Sequence, residues 1–178
     1  MIESFQQYSP QLGERVYLHP SSTLIGNLSL GDDCSVWPST VIRADVNLIQ
    51  IGKRTNIQDL SVLHVTHAGQ YNPEGASLSI GDDVTIGHRV TCHGCQIGSR
   101  VLIGIGSIIL DGAIVQEDVM IGAQTLVLAH EILKSGYLYV GSPAKLLRQL
   151  TKTELQFLRY SAERYVQLKE QYRNGCSF

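Results

Sequence analysis

The chain has 178 residues, of which 17% are charged and 43% hydrophobic, with a net charge of −2. That balance excludes a disordered chain and disfavours a basic nucleic-acid surface, and the length suits one domain spanning residues 1–178. No run of about 18 apolar residues is present to cross a membrane. The opening MIESFQQYSPQLGERVYLH lacks the basic-then-apolar order of a secretory or transit segment. Cys34, Cys92, Cys95 and Cys176 do not make a disulfide framework, so a reducing cytoplasm is the expected location.

Apolar residues recur every six positions. Leu30, Val36 and Ile42 open the series. Ile51, Ile57 and Leu63 follow, then Ile80, Ile86 and Cys92, then a run from Ile97 through Ile103, Ile109, Val115 and Ile121 to Val127. Glycine often comes next (Gly52, Gly81, Gly87, Gly98, Gly104, Gly122). A small or β-branched residue often stands two positions earlier (Cys34, Thr40, Thr55, Ser61, Ser107, Ala113, Thr125). A period of six suits neither an amphipathic helix nor a hairpin sheet. It suits a mainly β solenoid over residues 14–146, a triangular parallel β-helix. Three hexads make one coil, and each coil buries its inward residues on the next.

Two pieces interrupt the series: RADVN after Ile42, and a turn-rich loop over 66–78. The step from Cys92 to Ile97 is one residue short. Beyond Val127 the pattern fades, and a helix is predicted over 151–174. Thr151 and Glu154 can form a capping box. Leu155, Leu158, Ala162, Tyr165, Val166 and Lys169 share one face, and Asn174-Gly175 supplies a stop. That face must lie on a prism wall.

The stretch VTIGHRVTCHGCQIG (84–98) crowds His88, Cys92, His93 and Cys95 together. Cys92 takes an inward position and Cys95 a small-residue position, so both thiols read as buried small hydrophobes. A redox Cys-x-x-C opens a helix in a thioredoxin-like setting, which is missing here. A zinc clip would need the thiols to point the same way as the histidines. His64 follows Leu63 and His93 follows Cys92, so the two stack one coil apart at about 4.8 Å, with Arg43 as the next rung. His88 lies one prism face away, out of reach within one chain and within reach from a neighbour. Two readings stay open. The histidines are solvated surface residues, or three imidazoles surround one ion at the subunit boundaries of a threefold trimer, leaving a fourth position for water. His19, His67 and His130 have no partner in the register, although His67 is near the site in sequence.

VIRADVNLIQIGKRTNIQDLSVLHVTH (41–67), TIGHRVTCHGCQIG (85–98), GSPAK (141–145) and SAERYVQLKEQY (161–172) resemble the gamma-class carbonic anhydrase-like family of the left-handed β-helix, hexapeptide-repeat superfamily. The resemblance runs over nearly the whole chain. Its hexapeptides are shared with many acyltransferases; the three histidines with their flanks are the specific part. It implies a left-handed β-helix with a C-terminal α-helix packed on it, assembled as a homotrimer. It implies zinc, with iron(II) or cobalt(II) suited to the same donors, held by His64 and His93 of one subunit and His88 of another. The implied reaction is reversible hydration of carbon dioxide to bicarbonate by a metal-bound hydroxide. Gln58 resembles the residue that hydrogen-bonds the bound water, and Arg43 and Asp45 the pair that ties subunits together and orients the site. A structural salt bridge accounts for that pair equally well. Tyr165 takes a pocket-lining position that the helix stripe also explains.

The chain departs from the best-known active members of that family. Val46 stands where they carry a glutamate directly after the aspartate of the Arg-x-Asp motif. Their acidic loop residue is replaced by THAGQYNPEGAS, with His67 close and Glu74 farther off. Arg164 stands where many relatives have asparagine. These departures imply weak or lost turnover, with metal binding kept. Two other functions are weighed beside it: an acyl-CoA-dependent transferase or thioesterase on the same fold, and a non-catalytic metal-binding protein.

Overall fold

In the computed structural model, which describes residues 1–175, none of the hexad residues named above is more than 4% exposed. They line the inside of a left-handed parallel β-helix with three walls. The first wall stacks Tyr17–Leu18, Ser35–Val36, Asn56–Ile57, Thr85–Ile86, Leu102–Ile103, Met120–Ile121 and Tyr137–Val140, and Lys145–Gln149 closes it antiparallel. The second stacks Val62–His64, Thr91–His93, Ile108–Ile109 and Leu126–Val127 below the long strands Thr23–Leu30 and Val41–Ile51. The third stacks the far ends of those long strands on Leu78–Ile80, Gln96–Ile97, Ile114–Val115 and Ile132–Leu133.

Of two expectations about regularity, one holds and one is corrected. The RADVN piece is irregular in pairing, which jumps from Gly26–Ala44 to Leu28–Ile49, but Val41–Ile51 still runs as one strand from the second wall to the third, with Ala44 and Ile49 buried. The period, however, does not end at Val127. Leu133 and Tyr139 continue it, both buried, although the small-residue and glycine markers around them are gone. The short step after Cys92 is confirmed by Ile97 pairing with Ile80 in register.

The small residues hold coil to coil. Thr40 Oγ1 donates to the Gln58 carbonyl at 2.8 Å, Thr55 Oγ1 to Gly81 at 2.9 Å and Ser107 Oγ to Gly122 at 3.0 Å. A larger side chain there would push neighbouring coils apart.

Three residues before the inward residues of the first wall the chain turns a corner in the left-handed backbone region. Asp33, Arg54, Asp83, Arg100 and Asp118 all have φ between 53° and 60°. Each such residue costs about 1–2 kcal/mol. The corner before the first wall offsets this with charge, because its side chains alternate in sign up the stack. Arg15 pairs with Asp33, Arg54 with Asp83 and Arg100 with Asp118, each through two hydrogen bonds of 2.6–3.0 Å. Paired forks of this kind are the stronger class of ion pair.

Helix α1 (Lys152–Gly175) begins at the expected capping box: Glu154 N–H donates to Thr151 Oγ1, and Thr151 N–H to Glu154 Oε2. It lies across the first wall over residues 35–36, 56–57 and 85–86. Leu158 and Ala162 are buried on that wall, and Tyr165 and Tyr172 pack edge-on against Trp37 at ring distances of 5.5 and 5.1 Å. The Lys169 side chain is fully buried, with its Nζ 3.1 Å from Asp33 Oδ1 and also paired with Glu170. A buried ammonium needs such partners. The helix thus docks on the charged corner as well as on apolar surface. No helix among the described residues is long and apolar enough to cross a membrane.

Candidate functional site

Three of the four cysteines fall within the described residues, and Cys34, Cys92 and Cys95 are all buried and free; Cys176 lies outside them. Burial pushes the Cys34 thiol up to about 12. A hydrogen bond with Cys92, together with burial, raises Cys95 well above the usual thiol range. Both thiols of the Cys-x-x-C are fully buried, away from the accessible, electropositive setting that a redox pair needs.

The second wall carries titratable groups at both its edges. At one edge His64 and His93 pair across adjacent coils, as the register requires, with His64 Nδ1 3.0 Å from His93 Nε2. His64 Nε2–H donates to Asp45 Oδ1 at 3.1 Å, and Asp45 is also paired with Arg43. His93 Nδ1–H donates to Asp111 Oδ1, and Thr66 Oγ1–H donates to Asp111 Oδ2 at 2.5 Å. Burial favours the neutral acid at both Asp45 and Asp111. Hydrogen bonds from Arg43 and His64 to the first, and from His93 and Thr66 to the second, outweigh it and hold both carboxyls below their ordinary range. Burial also lowers the pKa of His64, against the hydrogen bond with Asp45.

At the other edge His88 Nδ1–H donates to Asp59 Oδ2 at 2.8 Å. The buried Gln58 is Asp59's chain neighbour, and its Nε2 donates to Asn56 Oδ1 at 3.1 Å. Asn56 donates on to Thr85, whose hydroxyl bonds Ser161 of α1 at 2.9 Å. Tyr165 packs on Trp37, and its phenol is made less acidic by burial and by the charge of Asp59.

The residues singled out from the sequence therefore divide. Arg43, Asp45, His64 and His93 stand at one edge, and Gln58, His88 and Tyr165 at the other. Among the described residues no cluster of three or more His, Cys, Asp or Glu side chains able to hold an ion forms within one chain.

Each histidine has one ring nitrogen committed to a carboxylate: His64 to Asp45, His88 to Asp59, His93 to Asp111. With those nitrogens donating, His64 Nδ1 and His93 Nε2 both present lone pairs, so a neutral pair has no proton between them. Two acceptors 3.0 Å apart suit a shared cation. Two metal–nitrogen bonds at tetrahedral angle would set them about 3.3 Å apart. The donor set fits a divalent metal, and histidine backed by carboxylate is the usual way to orient and strengthen such a ligand.

Asp59 and Asp111 were not singled out from the sequence. The signal was there: Asp59 precedes His88 by the same 29 positions that separate His64 from His93, one coil lengthened by the loop, and Asp111 follows His93 by an ordinary coil of 18. Of the departures, Val46 is exposed, as is Arg164, and Glu74 lines an open cavity of about 640 Å³ with Tyr71, Asp111 and His130.

This is a hexapeptide-repeat β-helix protein with histidine–aspartate pairs at both edges of one wall. No family model matches the chain. It is 55% identical over 172 residues to protein YrdA of Escherichia coli, covering 97% of this chain and 94% of that one. It is 37% identical over 164 residues to gamma carbonic anhydrase 2, mitochondrial, of Arabidopsis thaliana, covering 91% of this chain and 58% of that one. Among solved structures it is similar to a hexapeptide transferase family protein from Anaplasma phagocytophilum, at TM-score 0.89 and 35% identity over 97% of this chain and 98% of that one. It is also 36% identical over 173 residues to carbonic anhydrase of Geobacillus kaustophilus, covering 97% of this chain and 91% of that one, and the chain belongs to the gamma carbonic anhydrase-like family of hexapeptide-repeat proteins.

Proposed function

We propose that this protein is a metal-dependent, gamma carbonic anhydrase-like enzyme that hydrates carbon dioxide reversibly to bicarbonate, working as a homotrimer. The observation that carries it is the proton bookkeeping at the histidines. Three imidazoles each have one nitrogen fixed by an aspartate, and two of them turn their free nitrogens toward one point. The 37% identity to a chain named gamma carbonic anhydrase supports the same reading.

The position of the third histidine supports the trimer. The outer face of the second wall, between the two edges, is an exposed apolar stripe. Val62 and Ile108 are 41% and 40% exposed, with Leu60 and Ile105 beside them. A second copy seated on that face would cover the stripe and bring its His88 edge to this chain's His64 and His93. Repeating the contact closes a threefold ring with one site per boundary.

In that assembly His64 and His93 of one subunit, and His88 of its neighbour, would hold the ion. Zinc suits three nitrogens, and iron(II) or cobalt(II) suit them too. Bound there, the ion would supply Lewis acidity near neutral pH. Asp45, Asp59 and Asp111 hold the imidazoles in the tautomers that leave the ligating nitrogens bare. Gln58 is fixed by Asn56 at the His88 edge, where its amide orients the attacking oxygen. Arg43 holds Asp45 ionised and reaches toward the neighbour. Tyr165 closes the apolar side of the pocket. With Val46 in place of a carboxylate, proton removal falls to Glu74 or His67 on the 65–77 segment, and turnover is slow.

A transferase reading has one favouring observation, the likeness to a hexapeptide transferase family protein at 35% identity. It requires one histidine base rather than three paired imidazoles.

The test is to purify the protein without oxygen, count metal per subunit and measure mass by light scattering, for the native chain and His88→Ala. The expected result is about one ion per subunit in a trimer, lost on substitution, with carbon dioxide hydration in the loaded protein. A metal-free trimer would overturn the metalloenzyme reading and favour acyl transfer. Loaded metal without hydration would leave a metal-binding protein.

A further inference from the structure

We infer that Asp111 and Thr66 are positioning residues that fasten the 65–77 segment to His93, so that metal held by His93 and order in the segment favour one another. The inference rests on the metal reading above. Asp111 has one carboxylate to divide between two donors. Oδ1 accepts from His93 Nδ1–H, and Oδ2 accepts from Thr66 Oγ1–H. Thr66 is the neck of the segment. It exchanges two backbone hydrogen bonds of 2.9 Å with Ala76, and Asn47 Nδ2 donates to its carbonyl at 3.0 Å.

The residue after His93 shows how closely these parts meet. Gly94 has φ +52°, and a Cβ there would come within 2.7 Å of the Ala76 Cβ and 2.8 Å of Asp111 Oδ1. Only glycine lets the neck and the carboxylate reach the histidine together.

The physical consequence is linkage. A metal on His93 Nε2 makes its Nδ1–H a stronger donor and fixes Asp111, and a fixed Asp111 holds Thr66 and the neck. Opening the neck frees Asp111 and leaves His93 without its orienting partner. Coupling between two such equilibria works with the same factor in both directions. Tyr71, at the far end of the segment and 96% exposed, reports the state of the neck.

The experiment compares wild type, Thr66→Val, Thr66→Ser and Asp111→Asn. It measures chymotrypsin cleavage after Tyr71, metal-free and zinc-loaded, and zinc affinity by competition with a chelator. In wild type, zinc slows cleavage about fivefold or more. Thr66→Val removes that dependence and binds zinc weaker by a similar factor, and Thr66→Ser, which keeps the hydroxyl, restores both. Asp111→Asn weakens zinc about 10- to 100-fold and cleaves quickly with or without it. Thr66→Val matching wild type in cleavage and affinity overturns the coupling alone. A wild-type protein that takes up no zinc overturns the metal reading, and this inference with it.

Discussion

Asp59 Oδ2 accepts from His88 Nδ1–H at 2.8 Å across one coil of the solenoid, and Asp111 does the same for His93 at the opposite edge of the wall. The two pairs point their remaining imidazole nitrogens away from the aspartates. If His88 is a ligand, its aspartate sets both tautomer and basicity. Asp59→Asn should therefore weaken zinc binding by about 10- to 100-fold while leaving the fold intact. Chelator competition reads this directly. An affinity within twofold of wild type would reduce the pair to a surface contact, for which little energy is expected.

The docking of α1 gives a pH prediction. Asp33 is held at about 2, first by its hydrogen bonds with Arg15, with burial opposing and Lys169 adding to the effect. A carboxylate whose folded pKa lies below its unfolded value stabilises the fold fully above the unfolded pKa of about 3.9. That contribution is lost as pH falls through the folded value of about 2. Allowing for solvent screening, it amounts to about 1–2 kcal/mol. Between pH 4 and 2, near-ultraviolet circular dichroism of Trp37 with Tyr165 and Tyr172 should weaken as the helix lifts, measured on metal-free protein. Asp33→Asn should show the weaker signal already at neutral pH. A variant identical to wild type at both ends of the range would show that the apolar contacts of Leu158 and Ala162 suffice.

The stack predicts a sharp contrast between two isoleucines. Ile86 is fully buried in the first wall, and Ile132 is 55% exposed on the third. Ile86→Ala leaves a cavity that rigid coils above and below cannot fill, and should cost about 3–4 kcal/mol in denaturant unfolding. Ile132→Ala should change stability by less than about 0.5 kcal/mol. Similar losses at both positions would mean that the third wall is covered by another copy in solution.

The inward set was legible in the sequence because a six-residue period leaves each coil one apolar residue per wall, and burial holds that position apolar regardless of neighbours. The helix was legible for a similar reason: its cap and its 3.6-residue stripe are local. The period was lost at Leu133 and Tyr139 because the flanking small residues and glycines had carried half of the signal. Corner conformation escaped notice because Arg, Asp, Leu and Gln all occupy it, and a left-handed turn imposed by stacking leaves no residue signature.

By itself, the sequence determined the register, and through it the facts that His64 stacks on His93, that His88 lies a face away and that both thiols are buried. These follow from counting, since strand alternation and coil length are fixed by backbone geometry. Which groups hold the histidines was decided only by tertiary structure. Asp45, Asp59 and Asp111 lie 19, 29 and 18 residues from their partners, and meet them because the coils stack at hydrogen-bonding distance. The same stacking built the alternating Arg and Asp corner and set Lys169 upon it. Pairing between side chains on different coils depends on rotamers and on the exact rise of the stack, and neither is written in the spacing of residues along one chain.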